Sequence, residues 1–117
     1  MPRKKARHLF YMPVITDINC VVKILEAAPC FSLDFETSSL RPKEAKITHI
    51  ALATETWQGV IPLTEKYGLP YLNTLRRLGG VLEDTNKLVY FWNAAYDIQC
   101  LHNHGVYVKS KVADGML

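Results

Sequence analysis

Two short stretches of this sequence concentrate acidic and amide side chains at spacings that can do chemistry. In CFSLDFET, Asp34 and Glu36 stand two apart, interleaved with Phe31, Leu33 and Phe35. A period of two puts both carboxylates on one face of a strand and the apolar side chains on the other. In WNAAYDIQCL, Asn93 stands just before a helical pattern and Asp97 one turn into it. Three carboxylates in one pocket offer only oxygen donors, the set that hard divalent cations such as Mg²⁺ or Mn²⁺ prefer. Two such ions about 3.5–4 Å apart can stabilise both the attacking and the leaving oxygens of a phosphoryl transfer. Without a cation the same cluster is costly, because like charges raise one another's pKa values. The plainer alternative is that Asp34 and Glu36 end a strand in water, and that Asn93 or Asp97 only caps a helix. A lone D-x-E does not choose between the two.

The elements that must position these residues can be read from periodicity. Thr16 or Asp17 can cap a first helix, with Ile18, Val21, Val22 and Leu25 on one face and Pro29 as its stop. A strand follows at CFSLDFE, then a polar loop, TSSLRPKEAK. ITHIALATE and WQGVIPLT read as two more strands with a turn near Glu55 and Thr56. Pro62 cannot donate to a ladder, so the third strand belongs at a sheet edge. Pro70 suits the first turn of a second helix carrying Leu69, Leu72, Leu75, Leu78 and Leu82, which Gly79 and Gly80 weaken. KLVYFWN reads as a strand buried on both faces. AAYDIQCLHNH reads as a short helix ended by Gly105, and VYVKSKVADG as a last strand. The fold class is α/β. If the fourth strand lies beside the first, the mixed sheet has the order 3-2-1-4-5, and chain direction switches between strands one and four. Ligands of open α/β sheets bind outside the carboxyl ends of strands at such a point. Asp34 and Glu36 end strand one, and Asn93 and Asp97 follow strand four.

Composition limits the alternatives. The chain has 117 residues, 49% apolar and 21% charged, in the globular range. No apolar run approaches the roughly 20 residues of a membrane helix, so no membrane partner is expected. Cys20, Cys30 and Cys100 match no zinc or disulfide framework. The start does not read as a signal peptide, and the expected location is cytoplasmic. Residues 1–15 form a basic arm with Arg3, Lys4, Lys5 and Arg7 and no acid, suited to phosphates or simply solvated. The other ten bases face eleven acids, so the expected domain, residues 16–117, is nearly neutral. His102 and His104 are two apart on a helix and share no face. His49 and Trp57 read as packing residues, as do Tyr67 and Tyr71, and Cys30 and Cys100 read as small buried hydrophobes.

SLDFETSSL, ITHIALAT, NAAYDIQCL and VADGML, in that order, resemble the 3′–5′ exonuclease domain of family A DNA polymerases, a DEDD (DnaQ-like) exonuclease on a ribonuclease H-like fold. The family's D-x-E-T-x-x-L stands here as Asp34, Glu36, Thr37 and Leu40, and its N-x-x-x-D as Asn93, Tyr96 and Asp97. The resemblance implies a two-metal-ion enzyme, with Mg²⁺ or Mn²⁺, that hydrolyses the 3′-terminal phosphodiester of single-stranded DNA in a proofreading role. Asp34 would bridge both ions, Glu36 would bind one and orient the attacking water, and Asp97 would support the second. Thr37 and Asn93 would hydrogen-bond the terminal nucleotide, Leu40 would wedge against the last bases, and Tyr96 would line the pocket. Asp114 is mainly a helix-capping residue in the family. Three departures stand out. The third motif, Y-x-x-x-D or H-x-x-x-D, falls beyond Leu117, so the C-terminal part of the fold and the fourth acid are missing. Gly115 replaces a usual Thr, and Trp92 replaces a smaller or polar residue. The expectation is a weakened metal site and bare apolar sheet surface around Val89, Phe91 and Val112. The alternative reading is a catalytically incomplete remnant that binds single-stranded nucleic acid or docks on a polymerase, or on the chain carrying the third motif.

Overall fold

The computed structural model describes residues 13–63 and 71–115. Residues 1–12 of the basic arm, Leu69 and Pro70 of the expected second helix, Tyr67, and Met116 and Leu117 lie outside the described residues. Helix α1 (Ile18–Ala27) is started by Asp17, whose Oδ1 accepts from the amides of Asn19 at 3.0 Å and Cys20 at 3.3 Å. It buries Val21, Val22 and Leu25, the stripe its spacing predicts. Ala28 turns extended, with ψ at 133°, because Pro29 disfavours a helical residue before it.

Strand β1 (Cys30–Thr37) then enters the centre of a five-stranded sheet with the order β3-β2-β1-β4-β5. Strands β2 (Ile47–Ala53) and β3 (Gln58–Pro62) form the antiparallel meander. Their turn is held by Thr54, whose Oγ1 accepts from Thr56 and Trp57. Pro62 sits in the outermost of the five strands, as its missing N–H requires. Residues 13–15, within the stretch expected as an arm, lie along that strand. Ile15 N donates to Val60 O and Val60 N to Pro13 O, both at 2.9 Å. This pairing covers part of an otherwise open edge.

Helix α2 (Tyr71–Leu82) runs unbroken through Gly79 and Gly80. Burial of Leu75, Leu78, Val81 and Leu82 outweighs the weak propensity of the two glycines. A side chain at Gly79 would press on Val106, so that glycine permits close approach. Strand β4 (Leu88–Phe91) pairs parallel with β1 on one side and with β5 (Lys111–Asp114) on the other. Between them, helix α3 (Ala94–Asn103) ends at His104, and Gly105 follows in the left-handed region at φ 80°.

Two expectations about β4 are corrected. It is not buried on both faces: Val89 and Phe91 are buried, while Tyr90 is 47% exposed. Val89 and Phe91 therefore belong to the core cluster with Phe31, Leu33 and Phe35, and they are not bare surface. The exposed apolar residues of this region are Tyr90, Trp92 and Val112. The alternation usual in antiparallel sheets, one face packed and one open, holds for β4 although it is paired in parallel on both sides. Among the described residues no helix is long and apolar enough to cross a membrane.

A buried lysine fastens α1 to β4. Lys87 precedes β4, and its Nζ donates to the carbonyls of Glu26, at 2.5 Å, and of Ala28. Those carbonyls close the C-terminus of α1, where a cation is favoured. Lys87→Met keeps the aliphatic stem but strands both acceptors. It should lower stability by about 1–3 kcal/mol in urea titrations. A midpoint equal to that of the parent chain would show that the contact is dispensable.

Candidate active site

The acidic residues fall where the sheet reverses its connection. From β1 the chain leaves towards β2, and from the parallel neighbour β4 it leaves towards α3. Asp34 and Glu36 therefore come to the carboxyl end of β1, and Asn93 follows the carboxyl end of β4. Phe31, Leu33 and Phe35 are buried, which turns Asp34 and Glu36 to the opposite face. Both acids are half-buried, and Asp34 Oδ1 and Glu36 Oε1 are themselves inaccessible to solvent. Asp97 is completely buried, at 0% exposure, in the first turn of α3. A carboxylate there is favoured by the unsatisfied amides and dipole of the helix start.

The end of β1 is shaped by a bulge. Glu36 pairs with His49, but Thr37 pairs with Ile47, leaving Thr48 as an extra residue on β2. Thr48 Oγ1 donates to the Glu36 carbonyl at 3.1 Å, and His49 Nδ1 lies 3.0 Å from the same hydroxyl. A bulge increases local twist and re-aims the chain, and such features gather beside active sites. Nothing in the alternation of ITHIALA marks Thr48 in advance, so sequence reading passed over it.

Thr37 and Tyr96, predicted to serve the same pocket, meet directly. Thr37 Oγ1 lies 2.8 Å from Tyr96 Oη, and both hydroxyls lie within hydrogen-bond distance of the Ser39 carbonyl. Three contacts share two protons. If Tyr96 donates to Ser39, Thr37 is able to donate to Tyr96; in the reverse arrangement Thr37 donates to Ser39. Either way the loop after β1 is tied to α3.

The start of α3 is capped from a distance. Asn93 occupies the N-cap position but makes no side-chain cap bond. Instead Asp114 Oδ2, on β5, accepts from the Ala94 amide at 3.1 Å. Asp114 thus caps the helix that precedes it in the chain. Leu40, the expected wedge, stands 91% exposed in the loop between β1 and β2. His104 Nδ1 lies 2.7 Å from the Cys100 carbonyl, and His102 packs edge-on against Tyr107. Trp57 packs against the core.

The donor set of Asp34, Glu36 and Asp97 is all oxygen and suits a hard cation. Among the described residues, however, no three His, Cys, Asp or Glu side chains are gathered as a metal centre. The chemistry of the residues fits a divalent ion; a closed coordination shell is not formed by them.

Comparison with known proteins gives the lineage. A family model described as 3′–5′ exonuclease matches residues 15–117. No curated protein matches the chain. Among solved structures, Escherichia coli RNase D superposes with a TM-score of 0.67 at 17% identity, covering 88% of this chain and 27% of that one. Trypanosoma brucei RNase D in complex with RNA U12 gives 0.69 at 16%, covering 95% and 40%. The EXD2 exonuclease domain soaked in Mg and GMP gives 0.59 at 19%, covering 87% and 54%. This chain therefore spans about a quarter to a half of the length of these relatives. At such identities the likeness establishes the fold, a ribonuclease H-like mixed sheet in the expected order.

Burial pushes the Tyr96 phenol above its ordinary 10.0; the Thr37 hydrogen bond pulls it down, and Cys100 and Asp97 push it up. Burial likewise raises the Cys100 thiol, in spite of its hydrogen bond to Tyr96. Both groups keep their protons in the fold after the unfolded chain has begun to lose them. Stability should therefore fall as pH rises through about 10. Urea unfolding at neutral and alkaline pH should show a smaller alkaline loss in Tyr96→Phe. Equal losses in the two proteins would remove Tyr96 from this account.

Proposed function

This chain belongs to the 3′–5′ exonuclease family, and from that premise we propose that it removes nucleotides from the 3′ end of single-stranded DNA, in the manner of a proofreading domain. The observation that supports this reading is topological: Asp34 and Glu36 lie near the carboxyl end of β1, and Asn93 and Asp97 follow the carboxyl end of its parallel neighbour β4, at the switch point of the sheet. Asp34, Glu36 and Asp97 would hold Mg²⁺ or Mn²⁺. The ion, when bound, would supply positive charge against the scissile phosphate and the departing oxygen. The Asn93 amide is not spent on capping α3, which leaves it to hydrogen-bond the terminal nucleotide. Thr37 and Tyr96 brace the pocket through the Ser39 carbonyl, and the Thr37 hydroxyl would hydrogen-bond the terminal nucleotide. Exposed Leu40 has free apolar surface to set against an unstacked base. Hydrolysis would form a bond from water oxygen to phosphorus and break the bond from phosphorus to the 3′ oxygen, releasing a nucleoside 5′-monophosphate. Asp34, Glu36 and Asp97 stand for three of the family's four acids, and a polymerase would be the natural partner.

Two observations favour other outcomes. The RNase D neighbours, one of them solved with RNA, favour an RNA 3′ end. The ungathered carboxylates favour a remnant that binds a 3′ end without cutting it. Oligonucleotides of one sequence, as DNA and as RNA, incubated with the chain and Mg²⁺ or Mn²⁺, separate these readings. The expected result is metal-dependent release of monophosphates, faster from DNA. Asp34→Ala should reduce it by more than about a hundredfold, beyond what loss of a supporting residue costs a metal site. Release that survives both a chelator and Asp34→Ala would overturn the proposal. Binding without release would establish the remnant, and preferential release from RNA would reassign the substrate.

A further inference from the structure

Trp92 has no part in the reading above, yet it stands next to the residues that carry it. It follows Phe91 at the carboxyl end of β4 and precedes Asn93. Phe91 pairs with Leu33, and the next residue on β1 is Asp34. The side chain is 40% exposed. It is nevertheless seated. A Cβ built on Gly115 would come within 2.9 Å of the indole Cε3 and 3.2 Å of Cζ3, so the ring edge rests against bare backbone. That backbone is itself fixed. The Gly115 amide donates to the Phe91 carbonyl at 2.7 Å, and neighbouring Asp114 caps α3. The two departures at positions 92 and 115 therefore lie in contact. A threonine at 115 would occupy the space the indole now fills.

The only other tryptophan of the chain, Trp57, shows what a purely structural indole looks like in this fold. It lies beside Gly59 and Ile15 and packs against the core. Trp92 is supported on one side and open on the other. Exposing a large ring to water gives up burial energy, and a rigid aromatic face next to a nucleic-acid site has a ready use. Every base has a π-face, so stacking on such a ring is tolerant of sequence.

We propose that Trp92, seated on Gly115, is the stacking platform for a base near the 3′ end of the single strand. It is a substrate-positioning residue that holds an unstacked base beside Asp34 and Asn93. This inference rests on the exonuclease reading and adds to it the means of gripping the strand.

Trp57→Phe leaves Trp92 as the sole indole, and its emission can be followed while single-stranded oligothymidylate is added in the presence of a chelator. Emission should be quenched in step with the anisotropy of a labelled oligonucleotide. Trp92→Ala should weaken binding about fivefold to a hundredfold, the range for losing one base–aromatic stack. In the metal-loaded reaction it should raise KM with little change in kcat, and Trp92→Phe should recover part of the loss. Gly115→Thr, which displaces the ring without removing it, should behave as Trp92→Ala does, and circular dichroism checks that each variant is folded. Emission unchanged at saturation, or Trp92→Ala binding within about twofold of the parent, would overturn the platform while leaving the exonuclease intact. A parent chain that neither binds nor trims the oligonucleotide would overturn the exonuclease reading and the platform with it.

Discussion

Strand β1 carries its apolar residues at every second position, and it lies between an antiparallel and a parallel neighbour. Phe31, Leu33 and Phe35 must face α-helical cover, because nothing else offsets the cost of leaving three such side chains in water. Once they do, Asp34 and Glu36 have no choice of face. The parallel pairing with β4 then decides what stands beside them. Its register, Leu33 opposite Phe91, delivers Trp92 and Asn93 to the same end of the sheet, and α3 follows directly with Asp97 in its first turn. A slip of one residue in β1 would bury both carboxylates and expose the core. The site depends on that register more than on any single contact within it.

Three separate fastenings hold the region after the register is set. The bulge at Thr48 ends the regular pairing of β1 and β2 just past Glu36. The Ser39 carbonyl gathers the Thr37 and Tyr96 hydroxyls and ties the following loop to α3. Asp114 reaches from β5 to the first amide of α3. Each comes from a different element, so removing one leaves the other two in place. Together they fix the surroundings of the acids without closing a coordination shell around them.

The sheet order, the helix stripe of α1 and the faces of β1 were legible because each follows from a strict period and a stop signal. Pro29 as terminator and Pro62 at the sheet edge were legible because proline tolerates few backbone settings, and the cap was narrowed to Thr16 or Asp17 because either side chain can accept from helix amides. β4 was misread because KLVYFWN is apolar throughout. Only the tertiary setting shows that Tyr90 and Trp92 take the open side. Gly79 and Gly80 were read as weak points, whereas burial of their neighbours carried the helix across them. The candidate acids were chosen from spacing and order. The bulge, the shared Ser39 carbonyl and the reach of Asp114 were not, because each joins residues distant in sequence and has no periodic signature. The coupling of Trp92 with Gly115 was visible only as two unrelated departures.

The central claim is that one end of the sheet, between β1 and α3, is a divalent-cation and 3′-end site. Paramagnetic broadening of amide resonances by Mn²⁺ tests it without requiring catalysis. The account predicts that broadening, on titration to about millimolar ion as suits a site that relies on few carboxylates, centres on residues 34–37 and 93–97. It also predicts that Asp34→Ala removes this broadening. Broadening centred elsewhere, such as on Glu83 and Asp84 or on His102 and His104, would contradict it, as would no effect at these residues with the chain folded.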